Sequence, residues 1–253
     1  GLTTNDVFRS GLVVTSDGWV AIKTSTAGPF TLKGASIRVR GQMFAVGESV
    51  YDDVTQMLFA KVNASDLPVA AFGKGRESQI GEQVFLASGP STFVPASIAS
   101  HVWPGAIPVS SDEPNRLLLM DRPGHIGEVL FNLNGEVVAM AQGDDMLFPI
   151  EAILPVLRSL LELKTIVHPS LGVQYVDVAH AVHVPTELIG TNRYGALLYG
   201  ALSVPRVSAA RKAGILPGDV LLAVNDETIN GEHGLDELIA QYRPGDRVQV
   251  LLD

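Results

Sequence analysis

From Ser10 to about Phe148 the chain alternates short apolar, β-branched runs with breaks of Gly, Pro, Asp and Asn. The runs are Gly11 to Thr15, Trp19 to Ile22, Ser36 to Val39, Met43 to Val50, Met57 to Val62, Gln83 to Ala87, Leu117 to Met120, Val129 to Phe131 and Glu136 to Ala141. Many short strands at regular spacing predict an all-β sandwich or barrel. Ser16-Asp17-Gly18 and Leu133-Asn134-Gly135 fall between runs and supply residues that tolerate positive φ, so a hairpin is predicted at each. After Pro149 the period changes: Ile150, Ile153, Leu154, Leu157, Leu160 and Leu161 lie on one stripe at helical spacing. This places a first domain over 1–163, a linker over 164–168 and a second domain over 169–253. In the second domain strands at Gly172 to Val176, Gly195 to Leu202, Asp219 to Val224 and Arg247 to Leu252 mix with a helix from Glu232 to Tyr242, an α+β pattern.

Composition narrows the function classes. Apolar residues make up 46 % of the chain, ample for packed cores, and 18 basic residues against 27 acidic ones give a net charge of -9. Divided after Lys164, the two parts carry 12 minus 17 and 6 minus 10, or -5 and -4, so neither hides a basic face. Nucleic-acid binding is excluded on this ground, since counterion release needs clustered cations. There is no cysteine, hence no disulfide framework, thiolate cluster or thiol nucleophile. No run approaches the roughly 18 apolar residues of a membrane span. The start at Gly1, with neither initiator Met nor leader, is that of a trimmed or mature chain whose anchor or targeting segment would lie outside it.

The order of the segments resembles the HtrA family, the DegP/DegS-like trypsin-fold serine proteases that carry a C-terminal PDZ domain. Ser10-Gly11-Leu12-Val13-Val14-Thr15-Ser16-Asp17-Gly18-Trp19-Val20 is similar to that family's G-S-G-V-I-I-S-x-D-G-Y-I entry hairpin. Asp66-Leu67-Pro68-Val69-Ala70, followed by Ile80-Gly81-Glu82-Gln83-Val84-Phe85-Leu86-Ala87-Ser88-Gly89-Pro90, is similar to its L-P-x-A and G-E-x-V-x-A-I-G-N-P segments. Ala209 to Asn225, with Lys212-Ala213-Gly214-Ile215-Leu216-Pro217-Gly218-Asp219-Val220 at its centre, matches the PDZ motif A-A-K-A-G-L-K-P-G-D-V most closely of all. The resemblance spans nearly the whole chain and implies a mainly β fold: a trypsin-like double β-barrel followed by an α+β PDZ domain.

The resemblance also marks departures at the catalytic positions. Ser25 stands where the family has its general-base His, Gln56 where it has the orienting Asp, and Ile126 where it has the nucleophilic Ser. An aliphatic side chain cannot attack a carbonyl, a neutral hydroxyl cannot serve as the base, and an amide cannot stabilise an imidazolium. Glu128, two positions after Ile126, would add negative charge where an oxyanion develops. These degenerate positions predict a pseudoprotease, not an enzyme. A rival constellation, Ser25 with His125 as a relocated base, competes with His125 as a plain solvent-facing loop residue, and Lys23 reads as a solvated strand residue. His180 and His183 are three apart but have no third ligand nearby, so no metal is expected, and no cofactor is implied.

For the PDZ domain the resemblance implies a carboxylate loop at Ser170, Leu171, Gly172 and Val173. There successive backbone N–H groups form a nest for a peptide's terminal carboxylate. The peptide would add as a strand, between Val173 and Tyr175 on one side and Leu235, Leu238, Ile239 and Tyr242 on the other. Gly172→Val is expected to block the nest without disturbing the core. The combined reading is a non-catalytic HtrA-like protein of the bacterial cell envelope, periplasmic or held at a membrane through a segment outside the chain. It binds protein or peptide C-termini as scaffold, adaptor or regulator. The alternatives are a hydrolase with displaced catalytic residues and a regulatory subunit, partnered by an active HtrA-type protease or by further copies of itself.

Overall fold

The computed structural model describes residues 10–24, 32, 34–89, 91–103, 107–182 and 184–253. Two compact units divide the chain, one of 1–102 and 117–154, the other of 103–116 and 155–253. A short segment preceding Leu117 is taken from the middle of the first domain and belongs to the second unit.

In the first unit, β1 (Leu12–Val13), β2 (Trp19–Lys23), β3 (Ser36–Val39), β4 (Gln42–Asp52) and β5 (Met57–Val62) form an antiparallel sheet of order β1-β2-β5-β4-β3. β6 (Gln83–Ala87) and β7 (Phe93–Val102) belong to a closed barrel of order β10-β11-β9-β7-β6. Its remaining strands are β9 (Leu117–Gly124), β10 (Val129–Phe131) and β11 (Val137–Pro149). The barrel strands alternate: in β6, Val84 and Leu86 point inward while Gln83 and Phe85 are exposed, as a period of two requires. Val84 and Leu86 meet Ile98, Leu118, Leu130 and Leu147 in one core.

Both predicted hairpins form, β1 with β2 and β10 with β11. Gly18 has φ +108°, and a Cβ there would lie 2.2 Å from the Val62 carbonyl oxygen, so only glycine fits. β7 has no counterpart among the predicted strands. Its Pro95, Ser97, Ser100 and His101 read as turn residues, and pairing with β6 and β9 on its two sides overrides that local preference.

The second unit has β8 (Val109–Ser110), α1 (Leu154–Leu163, from its second residue onward), β12 (Gln174–Asp177), α2 (Thr186–Ile189), β13 (Ala196–Leu197) and α3 (Ala209–Lys212). It continues with β14 (Val220–Val224), β15 (Glu227–Thr228), α4 (Leu235–Ile239) and β16 (Val250–Leu252). Its strands run in the order β15-β14-β13-β12-β8, with β16 also on β14. Alternation again sorts neighbours: Ala196 and Leu221 join a core with α4, while Leu197 and Val220 join a smaller cluster. Helix α1 matches the predicted stripe, preceded by a 3-10 turn at Ile150–Ala152, and Pro155 falls in its first turn, where its missing donor costs little. The predicted helix from Glu232 to Tyr242 is shortened to α4.

Lys23 is not the solvated residue its charge suggests. It is 2 % exposed, because it shares the inward face of β2 with Trp19 and Ala21. Its Nζ donates to the Thr55 carbonyl at 2.6 Å and lies 4.7 Å from the centre of the Phe148 ring. Burial lowers its pKa from 10.5 to about 8, partly opposed by the nearby Asp52 carboxylate. Below pH 8 the folded and unfolded chains both hold this proton, and the fold carries the full cost of burying the charge. Between about 8 and 10.5 the unfolded chain binds more protons, so stability contributed at this site rises with pH. The parent should therefore gain on the order of 3 kcal/mol relative to Lys23→Met across that interval. Urea unfolding of both proteins from pH 7 to 11 measures this, and a difference independent of pH contradicts it.

Candidate functional site

In the first unit, Ser25 lies outside the described residues. Gln56 occupies the turn between β4 and β5 with φ +53°, and its carbonyl accepts from the backbone N–H and the hydroxyl of Thr24, each at 3.0 Å. This residue therefore ties the end of β2 to the turn through its backbone. Ile126 is half-buried and covers Gly143 of β11, where a Cβ would lie 3.3 Å from its Cγ1.

Glu128, 6 % exposed, organises the same loop. Its Oε2 accepts the His125 backbone N–H at 2.8 Å, and its Oε1 accepts the Ser88 hydroxyl at 2.6 Å and faces His125 Nδ1 at 3.3 Å. Glycine at 127, with φ +88°, lets the chain turn so that the Gly127 N–H reaches the Ala141 carbonyl and the Ala141 N–H the Glu128 carbonyl. His125 is exposed, as expected, but its ring is also steered by a carboxylate.

The second unit gathers the predicted groove residues. Leu171, Val173, Tyr175, Leu235, Leu238 and Ile239 are buried in one apolar cluster, with Tyr242 packed against it. Tyr175 donates its hydroxyl to Asp236 Oδ1 at 2.7 Å, and its burial beside that carboxylate raises its pKa well above the usual phenol value. The loop N–H groups converge on a group of the same chain. Leu171 N and Gly172 N donate to Asp112 Oδ1 at 3.0 and 3.1 Å, the Ser170 hydroxyl donates to Asp112 Oδ2, and Val173 N donates to the Ser111 hydroxyl at 3.2 Å.

Next to these contacts β8 pairs antiparallel with β12, Ser110 opposite Gln174 and Val109 opposite Tyr175. Ser111 N donates to the Val173 carbonyl at 2.9 Å, and the Val109 side chain packs on the groove cluster. The edge expected to be open for an added strand is thus filled. Both ends of the segment are fastened. Trp103 stacks on His180 at 4.1 Å between ring centres, and the Arg116 guanidinium lies 4.8 Å from the Trp103 ring centre and donates to the Glu232 carbonyl. His180 in turn faces Asp177 at 2.9 Å, and His183 lies outside the described residues.

The family description "PDZ domain" matches residues 169–252. A protein of Hahella chejuensis named as a DegP-like periplasmic serine endoprotease is 27 % identical over 95 % of this chain and 53 % of its own length. A serine protease of Synechocystis named HhoB is 25 % identical over 95 % of this chain and 62 % of its own. The chain thus spans about half to three-fifths of these relatives. Among solved structures, the HtrA-type protease AlgW with a tripeptide superposes with TM-score 0.65 at 18 % identity, covering 96 % of this chain and 86 % of that one. AlgW with a decapeptide gives 0.63 over 96 % and 77 %.

Residues 169–252 match a PDZ domain, and the chain as a whole is similar to HtrA-type proteases along nearly all its length. The mainly β fold with barrel-like sheets and a PDZ domain is the HtrA architecture that the sequence predicts. One expectation is overturned, that this chain is not an enzyme: its relatives bear the names of serine proteases along 95 % of its length, and nothing in the comparisons shows loss of the catalytic triad.

Sequence reasoning had no sign of Asp112, Ser111, Val109 or Trp103. The only local signal is the two-residue β-run Val109-Ser110 between Pro108 and Asp112-Glu113-Pro114, too short to read as a strand. The structure also corrects the expectation for Gly172. Its φ is +74°, and a Cβ would lie 2.8 Å from Ser208 Cβ, so any side chain there strains the fold as well as the nest. Gly172→Ala should lower stability by about 1–2 kcal/mol. Thermal unfolding of the whole chain checks this, and an unchanged midpoint contradicts it.

Proposed function

We propose that this HtrA-family protein captures polypeptide C-termini through its PDZ domain in the bacterial cell envelope, acting there as scaffold, adaptor or regulator. The observation that carries the reading is chemical. The backbone donors of Leu171 and Gly172 and the Ser170 hydroxyl converge on a carboxylate, beside an apolar cluster that includes Val173, Leu235 and Leu238. That pairing of an anion nest with an apolar wall suits a chain end with a free carboxylate and an apolar last side chain. The peptides in the AlgW structures and the periplasmic names of the relatives support the class of ligand and the compartment. Membrane attachment belongs to the same proposal and would use a segment outside the described chain. Among the described residues no helix is long and apolar enough to cross a membrane.

The test is fluorescence anisotropy with the whole chain and labelled peptides ending in Val, as the free acid and as the amide. The acid should bind, the amide should lose most of the affinity, and replacing the terminal Val by Gly should weaken binding about ten- to 150-fold, the value of burying about 1.5–3 kcal/mol of apolar side chain. Equal binding of acid and amide contradicts the reading.

One arrangement favours a second reading, peptide hydrolysis with displaced residues. The buried Glu128 carboxylate faces Nδ1 of the exposed His125, which leaves Nε2 open to accept a proton. On this reading casein is cleaved, and His125→Ala removes the activity while the PDZ affinity stays. Cleavage at background by the parent chain contradicts it.

A further inference from the structure

We infer that the segment 107–116 is an internal ligand of the PDZ groove, with the Asp112 side chain standing in for a peptide's terminal carboxylate, and that a peptide binds only by displacing it. The inference rests on the peptide-binding reading above. Three independent features carry it. First, the carboxylate is held as a terminal one would be, by two successive backbone N–H groups and a hydroxyl. Second, the chain leading to it runs antiparallel along β12, with β8 in the strand position that an added peptide would take. Third, the Val109 side chain packs on the apolar groove cluster. Ser111, 1 % exposed, closes the set by accepting the Val173 N–H and donating its own N–H to the Val173 carbonyl.

A terminal carboxylate ends its chain, whereas here the chain must continue. It turns away at once: Asp112 N donates to the Ser110 hydroxyl, Asn115 Nδ2 donates to the Ser110 carbonyl, and Asn115 N reaches Asp236 Oδ2. These bonds hold Asp112 in the nest with no chain end available.

A tethered ligand acts at an effective concentration in the millimolar range. A peptide in solution meets only the fraction of molecules whose groove is open, and its apparent affinity falls by that fraction. The groove then admits strong C-terminal ligands and turns away weak ones. Each capture releases the segment 107–116 from β12.

The experiment uses the whole chain and a labelled decapeptide ending in Val with a free carboxylate. Asp112→Ala should raise the affinity at least about tenfold, because the internal ligand loses its anchor while the nest is intact. A second variant acts in the opposite direction. The chain has no cysteine, so Ser110→Cys with Gln174→Cys, two residues directly opposite across β8 and β12, can lock the segment in place. The oxidised form should lose peptide binding, and reduction should restore it. Unchanged affinity in Asp112→Ala, or equal binding by the locked and reduced forms, overturns the internal ligand and leaves the peptide-binding reading standing. Absence of binding by the parent, by Asp112→Ala and by the reduced double variant overturns both.

Discussion

Three backbone N–H groups, those of Leu171, Gly172 and Val173, point away from their own strand where the loop enters β12, and each needs an acceptor. A buried donor left without one costs about 1–3 kcal/mol, so an anion or hydroxyl in front of this turn stabilises it. The arrangement of the second unit at β12 follows from that constraint. Gly172 must take a left-handed conformation to aim the donors, Asp112 and Ser111 must reach them, and β8 must lie on β12 to bring those two residues there. The apolar cluster beneath, from Val173 to Leu238, receives Val109 as a consequence of that register.

The first unit solves a similar problem in a similar way. The loop through Ile126 turns at Gly127, and the buried carboxylate of Glu128 takes up the His125 N–H that the turn exposes. In each unit a carboxylate of the same chain meets backbone N–H groups at a turn. The loop of the first unit is thereby fixed between β9 and β10, with the His125 ring facing the same carboxylate.

Much of this fold is legible in the sequence because its strands obey a period of two and its hairpins use Gly18 and Gly135 at positive φ. The PDZ cluster is legible for a different reason, since the Pro217-Gly218-Asp219 turn and the strand after it form a long specific motif. What escapes is set by distant partners. β7 is a strand because β6 and β9 flank it, against the preference of Pro95 and its serines. Lys23 is buried because β2 turns that face inward, which its charge alone argues against. The role of Asp112 depends on residues about 60 positions away, and a lone Asp between Ser111 and Glu113 carries no local mark of it. The family, by contrast, is readable from ordered landmarks, but the inactivity inferred from Ser25, Gln56 and Ile126 is overturned by relatives named as proteases.

The most direct measurement is the exchange rate of the Leu171 and Gly172 amide hydrogens in the peptide-free chain, followed by NMR in the parent and in Asp112→Asn and Asp112→Ala. Amides bonded to the Asp112 carboxylate should exchange slowly in the parent, faster in the asparagine variant, whose side chain keeps one acceptor oxygen, and fastest in the alanine variant. Rapid exchange in the parent, or rates indifferent to both substitutions, would contradict the account.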